Sequence, residues 1–234
     1  MSRPEILFSL FAPVTALAGV GPRISKLIEK LAGPHVVDLL WHLPSGLIDR
    51  RFAPQIDAAP AGVVATITVR VEVHMPAHNR RAPYKIRCSD DTGVMDLIFF
   101  HANAEYLGRT LPEGEVRVVS GKVEHYDGMV QMTHPDHIGT PDDTARLKSV
   151  EPVYPMTGGL TPKPLVRAIR EAISRAPDLT EWQEAAWISQ RGWSPWREAL
   201  RMAHAPDAEA ALRGDSPARA RLAYDELFAN QLAL

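Results

Sequence analysis

The sequence predicts an α+β protein in which a small five-stranded β-barrel is flanked by helical segments. Three observations lead there. Ile67, Val69, Val71 and Val73 alternate with Thr66, Thr68, Arg70 and Glu72, the two-residue period of a half-buried strand. Between 63 and 138, turn-forming residues recur between short alternating runs. On either side of that stretch apolar residues fall at helical spacing instead, as in Ile24, Leu27, Ile28 and Leu31.

The barrel elements follow in order. After the first strand comes a turn-rich loop, residues 74–83, and then Tyr84, Ile86 and Cys88 alternate with Lys85 and Arg87. Asp90 to Gly93 supplies a turn in which Gly93 is free to take positive φ. A third strand spans Val94 to Phe100, and a short helix spans Ala102 to Leu107. Glu115–Glu124 and Met129–His134 make a last hairpin around Asp127-Gly128. Three strands, a short helix and two strands is the order of an OB-fold, whose second and third strands and neighbouring loops bind oligonucleotides. On the third strand Met95, Leu97 and Phe99 form the apolar set, while Phe100 shares a face with Asp96 and is expected to be exposed for base stacking, with packing against the short helix as the competing reading.

The flanks read as helical. Residues 1–62 hold a helix opened by Pro22 and stopped by Gly33, then a second from Val36 to His42 ending before Pro44. Residues 139–234 begin with a polar loop and a Pro/Gly-rich stretch up to Gly159. Thr161 and Pro162 then open a helix with Leu165, Val166, Ile169 and Ile173 as its buried stripe. Further helices fit Thr180–Arg191, Pro195–Ala203 and Pro217–Leu234. Leu222, Phe228, Leu232 and Leu234 keep helical periodicity to the last residue without a stop signal, so the chain reads as a piece of something longer.

Composition is that of a globular protein, 45% hydrophobic and 23% charged over 234 residues. With a net charge of −2 the whole chain does not attract DNA, so any nucleic-acid contact must come from local clustering. From Val73 to Ser89 there is no acidic residue, whereas Arg80, Arg81, Lys85 and Arg87 are all present, which makes them candidate phosphate contacts. A solvated loop is the competing reading for the arginine pair. A single cysteine, Cys88, excludes a disulfide framework and falls on the apolar face of its strand. No signal segment or long apolar run is present, which reads as a soluble protein of a reducing compartment.

Leu17-Ala-Gly19-Val-Gly21-Pro22 resembles a helix-hairpin-helix turn, in which glycines let backbone N–H groups approach a phosphate; a purely structural turn fits equally. Asp90-Asp91 is a hairpin turn rather than a catalytic pair. His134 and His137 have a metal-like spacing, but Pro135 forbids a regular helix and no third ligand is evident, so they mark a strand end. No Gly-x4-Gly-Lys-Ser/Thr loop, Gly-x-Ser-x-Gly elbow or His-Glu-x2-His pair occurs, and nothing supports catalysis or a cofactor within this segment.

Four segments carry a family likeness: Leu17–Pro22; Val37-Asp-Leu-Leu-Trp-His-Leu-Pro44 with Asp49-Arg-Arg51; Ser89–Gly93 with Phe99-Phe100; and Pro152–Pro155 with Pro217–Leu232. In this order and spacing they resemble the N-terminal part of the RecG family, bacterial ATP-dependent helicases that remodel branched DNA. The resemblance implies that the barrel is a wedge inserted at a DNA branch point, at stalled forks and Holliday junctions, in repair and recombination. It puts Phe100 at the position of the stacking aromatic. A second wedge aromatic of some members falls at Ala104 here, with Tyr106 a nearby substitute. It also implies ATP and Mg2+ for the parent enzyme, branched DNA and single-stranded-DNA-binding protein as partners, a monomer, and a nucleoid-associated place in the bacterial cytoplasm. The alternative is an OB module whose groove binds a peptide tail, such as that of single-stranded-DNA-binding protein.

Overall fold

In the computed structural model, residues 4–79 and 82–233 are described. In chain order the elements are α1 (Pro22–Leu31), α2 (Val36–Trp41), β1 (Gly46–Asp49), β2 (Val64–Met75), β3 (Tyr84–Ser89), β4 (Val94–Phe99), α3 (Ala104–Thr110), β5 (Val116–Tyr126), β6 (Met129–Thr133) and β7 (His137–Gly139). They continue as α4 (Thr144–Leu147), β8 (Val150–Val153), α5 (Pro162–Ser174), α6 (Ala185–Arg191), α7 (Trp196–His204) and α8 (Pro217–Ala233). The chain forms two compact units, residues 48–151 and residues 1–47 together with 152–234. Residues 48–62 therefore group with the barrel, and the two helical flanks form one unit although they are far apart in sequence.

The barrel closes because the alternating strands can bury one face only by curling onto it. The sheet order is β2-β3-β4-β6-β5-β7, and a second pairing of β2 with β5 completes the ring. The β4–β6 pairing is parallel; the rest of the ring is antiparallel. Ile67, Val69, Val71, Ile86, Cys88, Met95, Leu97, Val119, Val123 and Met132 fill the interior, and Leu107 and Leu111 close one end from α3. Each such side chain contributes about 1.5–3 kcal/mol by leaving water. Cys88 is fully enclosed, and burial pushes its thiol up to about 12. The hairpin turn between β5 and β6 uses Asp127 and Gly128, both at positive φ (50° and 74°), the backbone of a turn that matches strand twist.

Several sequence expectations change here. Val73 does not continue the buried face; it is 43% exposed. The β2–β3 register slips between Val71 and Val73, and such a bulge reverses which residues point inward. His74 takes the inner role: its Nε2–H donates to the Leu111 carbonyl at 2.7 Å, and its Nδ1 accepts from the Tyr84 hydroxyl at 2.9 Å. Gly93 is not at positive φ. The turn is held instead by the Asp90 carboxylate, which accepts from the backbone N–H of Thr92 and Gly93 at 2.8 and 3.0 Å, and a Cβ at position 93 would meet Ile56 at 3.4 Å, an ordinary van der Waals contact. The third strand stops at Phe99, and the short helix starts at Ala104, where the Asn103 side chain caps it. The supposed strand end at His137 is a separate strand, β7, paired with β5.

One buried cation ties the barrel together. Arg50 is 2% exposed. Its Nε donates to Glu151 at 3.0 Å and its Nη1 to Asp136 at 3.0 Å. Its carbonyl accepts from the Thr66 hydroxyl at 2.8 Å, which also meets Ser120 at 2.9 Å. Arg50 and Glu151 stand where the chain enters and leaves this unit, and Thr66 and Ser120 lie on β2 and β5.

In the helical unit, α5 buries Leu165, Ala168, Ile169 and Ala172, so the stripe is narrower than Leu165, Val166, Ile169 and Ile173; Val166 and Ile173 are only partly covered. Thr161 holds the N-cap position without a side-chain bond. α6 begins at Ala185 rather than Thr180, because the Glu181 carboxylate accepts from the backbone N–H of Trp182 and Gln183, each at 3.0 Å. α8 buries Arg221, Leu222 and Asp225, whereas Phe228 and Leu232 are exposed. Arg221 pairs with Glu181 at 2.9 Å and with Asp225 at 3.0 Å. Buried His204 donates from Nε2 to the Leu40 carbonyl at 2.9 Å and faces the Tyr154 hydroxyl at 3.1 Å through Nδ1.

Two predictions follow from these buried groups. Arg50→Met should lower barrel stability by roughly 3–5 kcal/mol, the cost of breaking a buried ion pair; Asp136→Asn, at a half-exposed partner, should cost about 1 kcal/mol or less. Circular dichroism melts read both. Burial lowers the His204 pKa, so the unfolded chain binds its proton more readily than the folded one. Stability of the helical unit should therefore fall as pH drops below about 6.5, the ordinary imidazole value. All five tryptophans lie in this unit, so urea titrations followed by tryptophan fluorescence isolate it. His204→Gln should flatten the pH slope.

Candidate nucleic-acid interface

The outer face of the barrel is set by strand register. Across β3, β4 and β6, Arg87 stands beside Asp96 and Asp96 beside Gln131, while Lys85 stands beside Ile98 and Ile98 beside Thr133. Glu124 of β5 neighbours Gln131 and accepts from Gln131 at 3.2 Å and from the Thr133 hydroxyl at 2.8 Å. Arg87 grips Asp96 with two bonds, 2.8 and 3.1 Å. That bonding raises the Arg87 pKa and leaves little of its charge for an outside anion. Acidic groups outside the acid-free segment thus enter its neighbourhood: Asp96 of β4 at Arg87, Glu72 of β2 at Ser89, and Glu113 of the loop before β5, which accepts the His74 N–H at 2.8 Å. Lys85 has no ion pair among the described residues. Arg80 and Arg81 lie outside the described residues.

The end of β4 divides two adjacent aromatics. Phe99 is 8% exposed and packs inside the barrel; Phe100, just past the strand, is 46% exposed. The chain then turns through His101, at φ 55°. The Phe100 N–H donates to His134 Nε2 at 3.1 Å, and the His134 N–H donates to the Ile98 carbonyl at 2.8 Å. The His134 ring lies 5.9 Å from each phenylalanine ring, edge-on to Phe99 and tilted 35° to Phe100. Tyr106, on the first turn of α3, is 51% exposed and has no ring pairing with Phe100 among the described residues.

His134 is the residue the sequence reading set aside as a strand end. Its partnership with Phe100 depends on the parallel β4–β6 pairing, which no local pattern announces. Lys85, Arg87 and Phe100 share the outer face of the barrel unit, and Tyr106 belongs to the same unit. Gly19 and Gly21 belong to the helical unit. There the Ala18 N–H donates to the Glu171 carboxylate at 2.8 Å, and Arg175 donates to the Ala16 carbonyl at 2.7 Å. Gly19 has φ 79°, and a Cβ on it would lie 3.4 Å from the Arg167 guanidinium. Gly21 caps α1 in open space. The turn is bonded to α5 through the very type of amide that would meet a phosphate.

The RecG wedge domain model matches residues 13–176. The chain belongs to the RecG wedge domain family. ATP-dependent DNA helicase RecG of Haemophilus influenzae is 30% identical over 233 residues, covering 95% of this chain and 33% of that protein. The Pasteurella multocida protein of the same name is 29% identical with the same coverage. The chain thus spans about a third of the length of these relatives. A solved structure of RecG bound to a three-way DNA junction superposes with a TM-score of 0.80 at 24% identity, over 100% of this chain and 32% of that one. At that identity the likeness establishes a shared fold.

The division between Phe99 and Phe100 is testable without DNA. Phe99→Ala should destabilise the barrel by about 3–5 kcal/mol, as truncation of a buried aromatic does. Phe100→Ala should leave its melting curve nearly unchanged. Circular dichroism melts of the two variants, compared side by side, check the assignment.

Proposed function

We propose that this barrel is the wedge of an ATP-dependent DNA helicase, and that Phe100 is the ring it offers to a base at a DNA branch point. The carrying observation is the placement of Phe100: a half-exposed ring just past the end of a rigid strand, backboned by a buried neighbour and held through its own N–H. A base stacked on an aromatic ring gains about 1–3 kcal/mol whatever its identity, which suits a surface that must recognise a branch rather than a sequence. Family membership and the names of the relatives support the same reading.

In this reading Arg80, Arg81 and Lys85 contact phosphates, Arg87 mainly organises the barrel face through Asp96, and Tyr106 is a second candidate for base contact. Gly19 and Gly21 approach the backbone of a DNA arm. The parent enzyme uses ATP and Mg2+, acts on stalled forks and Holliday junctions, partners single-stranded-DNA-binding protein, and works as a monomer at the bacterial nucleoid. This chain itself has no Gly-x4-Gly-Lys-Ser/Thr loop to hold the nucleotide, so no ATP-driven step is assigned to its residues. No helix among the described residues is long and apolar enough to cross a membrane.

Binding measurements on fork, duplex and single-stranded DNA test the proposal. Phe100→Ala should cost about 1–3 kcal/mol of fork affinity and much less for plain duplex. Replacing both Arg80 and Arg81 with Ala should weaken all DNA alike and flatten the salt slope by roughly one to two. Fork affinity that does not respond to salt or to Phe100 would instead favour the peptide-binding alternative.

A further inference from the structure

Phe100 is not the only exposed ring at this end of the barrel. His134 is also exposed, and the two rings are neighbours at 5.9 Å with a tilt of 35°. The imidazole is positioned from three sides. Its backbone N–H is bonded to Ile98 at 2.8 Å, its Nε2 accepts the Phe100 N–H at 3.1 Å, and its ring meets the edge-on ring of Phe99. Only three described non-glycine residues have positive φ, and two of them, His101 at 55° and His134 at 47°, flank Phe100 in space or in sequence. Backbone held in this sparsely populated region gathers where function requires a particular presentation. His134 covers the edge of Phe99 and still leaves its own ring exposed.

We propose that His134 is the second ring of the DNA-contacting surface, with its imidazole against a base or terminal base pair beside the one met by Phe100. The inference rests on the wedge reading and adds to it a residue from β6's end, brought next to β4 by the parallel pairing. Two adjacent rings at a moderate tilt suit the splayed bases of a branch better than a continuous stack. The same geometry gives His134 a supporting role: by accepting the Phe100 N–H it fixes where that ring begins.

The test uses this 234-residue chain with a synthetic fork and the matching duplex, read by fluorescence anisotropy. His134→Asn removes the ring and keeps a residue that tolerates positive φ. It should weaken fork binding roughly fivefold or more, the lower end of one base stack, and change duplex binding by less than about twofold. The loss should persist when His134→Asn is added to Phe100→Ala. If the double variant binds forks as Phe100→Ala does, His134 merely holds Phe100 and direct contact is refuted. If His134→Asn is silent while Phe100→Ala is weak, the inference fails and the wedge reading stands; if both are silent, the wedge reading falls with it. A measurement on the unsubstituted chain covers poor folding of the variant: carbethoxylation of His134 by diethylpyrocarbonate, located by mass spectrometry, should be suppressed by fork and not by duplex. Equal modification with and without fork overturns the proposal.

Discussion

The barrel depends on one buried cation. Arg50 is held by Glu151 and Asp136 through its guanidinium and by Thr66 through its carbonyl. It thereby joins the incoming and outgoing chain of residues 48–151 to two ring strands and to the segment before β7. The entering and leaving chain are paired by their own backbone, β1 with β8 and the Arg50 N–H on the Ser149 carbonyl at 3.0 Å, and the Arg50 side chain locks that pair to the ring. Here a charge withdrawn from water has no relief except its carboxylate partners, so the ends cannot fray without stranding it. Glu151 also meets His137 at 2.8 Å, which extends the arrangement to the added strand β7.

The electrostatics of the outer face are set by pairs formed across strands. Arg87 and Asp96 neutralise one another, and Glu124 is occupied by Gln131 and Thr133. Arg87 thus meets a carboxylate, Glu124 accepts from neutral donors, and Lys85 has no ion pair among the described residues.

The helical unit shows the same economy of buried polar groups. The turn at residues 16–21 is bonded to α5 through Glu171 and Arg175, His204 links α2 and Tyr154, and Arg221 joins α8 to Glu181. Each joins segments distant in sequence, which is how the first and last parts of the chain come to form one body. Gly19 gains a structural explanation in the process: it supplies a positive φ, where a side chain would be strained.

Much of this was legible in the sequence. Alternation announced β2, β3 and β4, Asp127-Gly128 announced the last hairpin, and helical spacing announced α1, α2 and α5, because these signals depend only on which face of a local element is dry. The split between Phe99 and Phe100 was legible for the same reason, since Phe99 continues the Met95–Leu97 face. What lay beyond reach was set by partners far along the chain. The bulge that turns Val73 outward and His74 inward is a register choice between two strands. Asp96 cancels Arg87 across a strand pair, so a segment free of acids in sequence is not free of them in space. His134 meets Phe100 only because β6 runs parallel to β4. Local patterns report burial, whereas charge pairing and ring neighbours are decided by which strands lie side by side, and that is a property of the closed barrel alone.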